Sequence, residues 1–184
     1  VRGSTTDPIT GAALSIGPIV SGTMYPYNQT KLEFIGHDSY LTWTKETENA
    51  GDFRVSLASS TIVRVNRQEY ASSPEVDLLE YFIYEPRSQQ NLTISWSRED
   101  HGLTLFADRL GHMNMYQGKV SDPHITYNMS YSYDYSPDIN LYLSVRNLTD
   151  VMPQKDGGFG YPYYYQGVFS VFGRYASAGF NYRF

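Results

Sequence analysis

Ile125-Thr126-Tyr127-Asn128-Met129-Ser130-Tyr131-Ser132-Tyr133-Asp134-Tyr135 alternates apolar or aromatic with small polar residues, without error over eleven positions. A period of two puts the odd positions on one face of a β-strand and the even ones on the other. Ser136-Pro137-Asp138 then supplies turn chemistry, and Ile139, Leu141, Leu143 and Val145 alternate with Asn140, Tyr142, Ser144 and Arg146 on the way back. The pair reads as a hairpin with one apolar and one polar face.

The same pattern recurs outward in both directions. Leu92, Ile94 and Trp96 alternate with Asn91, Thr93, Ser95 and Ser97. A turn at Glu99-Asp100-His101-Gly102 leads to Leu103, Leu105 and Ala107. Phe53, Val55, Leu57 and Val63 lie on a long strand behind the turn Glu48-Asn49-Ala50-Gly51, preceded by a less regular extended stretch over 31–45. At the C-terminus Phe180, Tyr182 and Phe184 share a face opposite Gly179, Asn181 and Arg183; a terminal aromatic is unusual where chain ends are frayed and polar. No segment has convincing helical spacing, the best being the short 74–80. Connections sort strictly by length: short near 49, 100 and 137, longer near 3–28, 69–88, 117–123 and 149–167. A transmembrane β-barrel sorts its loops this way, short on the periplasmic side and long outside, which puts the C-terminus on the periplasmic side. A soluble sandwich has no reason to.

Composition fits. The chain has 18 Tyr and 9 Phe, a mean hydropathy of -0.44 and no Cys. No run approaches the roughly 18–20 apolar residues of a membrane helix, but barrel strands evade that test because half their residues face a wet interior. Without cysteine there are no disulfides or thiolate metal sites. A net charge of -5 and a pI near 5.3 argue against a nucleic-acid partner. Val1-Arg2-Gly3-Ser4 shows no signal-peptide pattern, so an exported protein is expected to be represented here by a mature chain or a piece.

Several motifs carry a resemblance. Ser144-Val145-Arg146-Asn147-Leu148-Thr149-Asp150, with Pro153 beyond, is similar to the "NLxD…P" signature of TonB-dependent outer-membrane receptors. Gly173-Arg174-Tyr175-Ala176-Ser177-Ala178-Gly179-Phe180-Asn181-Tyr182-Arg183-Phe184 resembles that family's closing "GRxYxxGxxYxF" strand, departing at Ala176. Thr6-Asp7-Pro8-Ile9-Thr10-Gly11 resembles a "DPxTG" loop. Asn28-Gln29-Thr30-Lys31-Leu32-Glu33 with Gly36 resembles "NxGKLExxG", and Asn91-Leu92-Thr93-Ile94-Ser95-Trp96-Ser97 resembles "NLSLxWS". Five motifs in family order span nearly the whole chain. The resemblance implies an antiparallel transmembrane β-barrel that imports a scarce nutrient across the Gram-negative outer membrane. Phe180, Tyr182 and Phe184 would be its C-terminal assembly signal.

The family joins a plug domain to a barrel of about 22 strands. About seven strands are legible here, eight if 13–25 adds one, and no plug is visible. An open edge in hydrocarbon is prohibitive, so residues 1–184 are expected to be the C-terminal segment of one barrel domain, completed by other polypeptide. The implied partners are the rest of the barrel and plug, the TonB complex through that plug, outer-membrane lipid and a small nutrient. Two alternatives stay open: a self-contained eight-stranded outer-membrane barrel, structural or lipid-modifying, and a secreted carbohydrate-binding β-sandwich.

No catalytic or metal-ligating set emerges, no cofactor is implied and the chain is not expected to be an enzyme. His37, His101, His112 and His124 are scattered, so polar surface or lumen roles are the reading. Gly157-Gly158-Phe159-Gly160 lacks the residues of a phosphate loop and reads as a flexible tip. Asn28, Asn91, Asn128 and Asn147 open N-x-S/T triplets read as chance. Tyr161, Tyr163, Tyr164 and Tyr165 in the last long loop form a candidate ligand-contact cluster, since tyrosines offer rigid aromatic surface with a polar tip. The alternative for them is an interfacial girdle or self-packing, and Tyr25, Tyr27 and Tyr70 carry the same ambiguity. Asn128, Ser130, Ser132 and Asp134 are the candidate lumen-facing residues.

Overall fold

The computed structural model describes residues 21–22, 31–81 and 84–184. Residues 31–184 form one compact unit. The motifs at 6–11 and 28–30, the strand expected over 13–25, and Tyr25 and Tyr27 fall wholly or almost wholly outside the described residues.

The chain makes one antiparallel sheet: β1 (Lys31–Lys45), β2 (Asp52–Gln68), β3 (Val76–Asp77), β4 (Ser88–Arg98), β5 (His101–Leu110), β6 (His124–Ser136), β7 (Ile139–Arg146) and β8 (Tyr175–Tyr182). Each long strand pairs with its sequence neighbour, and two-residue β3 pairs with the far end of β2. Among the described residues there is no α-helix, and β1 and β8 stand at the two ends of the ladder. The stretch 74–80 makes β3 and turns instead of a helix. Leu78 N donates to Val65 O, and Asp77 Oδ1 accepts from Leu79 N, so the local backbone bonds outward to β2 and within a turn.

Register carries one chemistry across the sheet, because partners in a ladder share a face. Phe53, Trp96, Leu103, Tyr131, Leu143 and Ala178 fall in one row; Trp43, Val55, Ile94, Leu105, Met129 and Val145 fall in the next. The opposite face carries Ser56, Thr93, Thr104, Asn128, Ser130, Ser144 and Ser177. The apolar face is bare: Leu41 is 64% exposed, Trp43 50% and Phe180 70%. About a dozen large apolar side chains stand exposed there. Leaving them in water forgoes on the order of 10–20 kcal/mol, as much as a whole domain's net stability. This face therefore needs a cover.

Connections sort by side. Residues 46–51, 99–100 and 137–138 join strands at one end, while 69–87, 111–123 and 147–174 join them at the other. The second and third long connections exceed the sequence expectation because β5 stops at Leu110 and β8 starts only at Tyr175. The 46–51 turn is closed by Thr47, whose Oγ1 accepts from Ala50 N at 3.0 Å and donates to Gly51 O at 2.6 Å. Gly51 has φ 86°, and a Cβ there would collide with Ser97 O. Gly51→Val should therefore cost at least ~1–3 kcal/mol and lower the thermal unfolding midpoint followed by circular dichroism; an unchanged midpoint would show that the turn relaxes.

Candidate functional site

The buried residues of this sheet lie mainly in its long connections. Met113, Met115 and Tyr164 are buried, with Asn114, Ser121, Asn147 and Asp156 among them. The three connections are tied together through backbone and polar groups. Asn114 Nδ2 donates to Glu80 O at 2.9 Å, and Tyr84 N donates to Asn114 O at 2.8 Å, joining 111–123 to 69–87. Asp122 N donates to Gln154 Oε1 at 3.0 Å, joining 111–123 to 147–174.

Asp156 is the hub. Its Oδ1 accepts from Gly158 N at 2.8 Å and its Oδ2 from Tyr116 N at 3.1 Å, and the Tyr84 hydroxyl bonds to it as well. Burial alone would raise its pKa. The two amides, the Tyr84 hydroxyl and the Lys119 charge outweigh burial and hold Asp156 below the usual carboxylate range. Tyr84 moves the other way, pushed up by burial first and then by its bond to Asp156. Since the folded value of Asp156 is depressed, its contribution is complete above the ordinary carboxylate value near about 4 and is lost as pH falls through the lower folded value.

The last long connection is clasped at its base by the Asn147-Leu148-Thr149-Asp150 motif. Asn147, the residue after β7, stands in the left-handed region at φ 51°. Its side chain bonds both ways to Val151, Nδ2 donating to Val151 O and Oδ1 accepting from Val151 N, each at 2.9 Å. Asp150, also left-handed at φ 54°, reaches across so that its Oδ1 accepts from Arg174 N at 2.7 Å, immediately before β8. A Cβ on Gly173 would lie 2.8 Å from that same oxygen, so glycine is what lets the carboxylate in.

Beneath this connection, on the polar face, lies a pocket of about 680 Å³. Asp108, Asn128 and Arg146 supply its polar wall, and Phe169, Phe172 and Tyr175 its aromatic one. Asp108 is oriented by Asn91 Nδ2 at 2.6 Å on Oδ1 and by Asn128 Nδ2 at 3.0 Å on Oδ2; Asn128 Oδ1 in turn accepts from Asn147 N at 2.9 Å. A polar relay thus runs from β4 through β5 and β6 to the clasp. A smaller pocket of about 220 Å³ lies among the connections; His124 and Phe169, in edge-to-face contact at 5.0 Å, line both.

Asn128, Ser130, Ser132 and Asp134 all stand on the polar face, and only Asn128 lines the larger pocket. Asp134 accepts from Asn140 Nδ2 at 2.7 Å near the opposite end. Phe180, Tyr182 and Phe184 stand on the apolar face, and Arg183 N donates to Asp138 O at 2.9 Å, anchoring the terminus to the β6–β7 turn. The tyrosine cluster divides. Tyr161 is 87% exposed and Tyr163 makes an edge contact with it, with Lys155 Nζ 5.8 Å from the Tyr163 ring centroid. Tyr164 is buried and donates to Ser170 O, while Tyr165 packs on Tyr84 and Phe159. Tyr70 is exposed, and its backbone N–H is held by Ser73 Oγ. The glycine-rich stretch is only partly an open tip, since Gly158 packs against Tyr116.

Sequence reading missed Asp108, Arg146, Tyr175 and Asp156 as site residues. The first three were findable, since Asp108 occupies the polar phase of β5 and Arg146 and Tyr175 are ladder partners. Asp156 had no signal: an aspartate before two glycines looks like a solvated turn. No family model, curated protein or solved structure matches the chain.

Asp156→Ala should cost about 1.5–3 kcal/mol locally, the scale of hydrogen bonds to a charged group, and speed hydrogen exchange at the amides of Tyr116 and Gly158. The wild type should hold those amides protected at neutral pH and release them only in acid below about pH 4; protection lost between pH 8 and 6 would contradict the role given to Asp156.

Proposed function

We propose that this chain is part of a TonB-dependent outer-membrane receptor, a barrel that takes up a small nutrient. In this reading the apolar face meets lipid, the polar face lines the barrel interior, the short turns are periplasmic and the long connections form the outer mouth. The pocket beneath 147–174 belongs to the uptake path, with Tyr161 and Tyr163 outermost.

The observation that carries the reading is the separation of carboxylates. Asp38, Asp52, Asp108 and Asp134 all occupy the polar face. The apolar face has no strand carboxylate from the row of His37 down to the short turns; Glu33 and Asp77 lie past the bulge at Ile35/Gly36. A soluble protein gains by placing charge on an exposed face, whereas a face in lipid excludes it. The lower margin of the apolar band also slants. It ends on Lys45 in β1 and on Arg98 and His101 in β4 and β5, but continues through Leu141, Phe180 and Tyr182 in β7 and β8. Strands tilted to a membrane plane produce such a slant.

The alternatives draw less support. A sandwich needs a second sheet, and among the described residues there is one; a self-contained small barrel needs β1 to pair with β8, and among the described residues no ladder joins them.

The test uses spin labels on the protein expressed from its own gene, on a cysteine-free background in lipid nanodiscs. A label at Leu57→Cys should collide with oxygen, which concentrates in lipid, and be shielded from a water-soluble nickel chelate. A label at neighbouring Ser56→Cys should favour the chelate. Equal accessibility at both would sink the membrane reading. The receptor part is tested with a purified TonB C-terminal domain: failure to bind would leave a barrel without energy coupling.

A further inference from the structure

On β1, β2, β4 and β5 the apolar run ends, toward the long connections, at the row Leu41–Leu57–Leu92–Ala107. The next row on the same face reads Ser39, Ser59, Gln90 and Arg109, and the one beyond it His37, Thr61 and Ser88. These side chains form a lattice. Arg109 Nη1 donates to Gln90 Oε1 at 2.6 Å and to Ser88 Oγ at 3.4 Å, and Gln90 Nε2 donates to Ser59 Oγ at 3.4 Å.

Arg109 has an unusual setting for a cation in an acidic chain. The nearest carboxylate in sequence, Asp108, is on the opposite face and bonded to Asn91 and Asn128. Neither row holds an acidic residue, and past the bulge the register sets Arg64 beside Ile35 on this same face. A guanidinium has five donors in a planar fork, and the two contacts above use Nη1 alone. The result is a cation held in place at the rim of an apolar band, flanked by hydroxyls and an amide, and among the described residues no carboxylate forms an ion pair with it.

We propose that this rim binds the phosphorylated sugar headgroup of an outer-leaflet glycolipid, with Arg109 on the phosphate and Ser39, Ser59 and Gln90 on the sugar hydroxyls. Charge complementarity sets the phosphate, the hydroxyl and amide lattice suits a polyol, and continuity with the apolar band places acyl chains directly below. This inference rests on the membrane reading, which assigns the long connections to the outer side.

The test is native mass spectrometry of the protein expressed from its own gene, taken from nanodiscs holding equal amounts of bisphosphorylated lipid A and phosphatidylglycerol. Wild type should retain lipid A in preference, and Arg109→Gln should reduce that preference several-fold. Arg109→Lys, which keeps the charge and loses the fork, should fall between them. Arg54→Gln on the opposite face makes the same change in net charge and should leave the preference intact. Retention unchanged in Arg109→Gln, an equal loss in Arg54→Gln, or no wild-type preference would each overturn the proposal. Oxygen accessibility of the label at position 57 keeps the two readings apart: a protein with that label in lipid but no headgroup preference defeats this inference alone.

Discussion

The two-residue period of a strand, held in register across neighbours, is the constraint on which the rest of this structure depends. Each ladder contact passes face identity from one strand to the next. One residue of slip in β5 would put Asp108 on the apolar face and Leu105 among the serines. The hairpin turns guard against that slip. Two-residue connections at 99–100 and 137–138 leave little slack, and Gly51 with Thr47 fixes the longer one. The bulge at Ile35/Gly36 is the one offset in β1, and it comes where the apolar band has already ended.

With register fixed, the ends of the strands take on different work. At one end the chain merely reverses. At the other, three connections build a small core of their own around Met113, Met115 and Tyr164, with a buried aspartate at its centre. This divides the molecule's stability in an unusual way: the sheet is held by backbone pairing and by whatever covers its apolar face, while the connections are held by local burial and polar ties. Local opening free energies vary across a protein, and here the relay through Asp108 and Asn128 is what ties the two parts together.

Sheet, strand order and loop sorting were legible in the sequence because they rest on periodicity and turn chemistry, both local. The unbroken alternation from Ile125 to Tyr135 needed no tertiary information. The site was legible only in part. Asn128 was placed on its face by phase alone, but its bonds to Asp108 and Asn147 depend on register between strands, which a single strand does not announce. The four tyrosines illustrate the same limit. Their composition gave no way to separate Tyr164, turned inward onto Phe169 and Ser170, from Tyr161, turned out. Asp156 was hidden for a different reason: its partners Tyr84 and Tyr116 come from two other connections, and only packing brings them within reach.

The clasp at the base of the β7–β8 connection has a consequence for how such a chain changes over time. Asn147 and Asp150 secure both ends of that excursion by bonds to Val151 and Arg174, using backbone groups that any residue but proline can offer. The base of the span is thereby held beside the sheet, while Asp156 and Phe169 within it pack against the neighbouring connection and His124. Away from those contacts, as at the exposed Tyr161, its composition is free to drift while the ladder beside it keeps its register, so the clasp acts as a mounting for the loop.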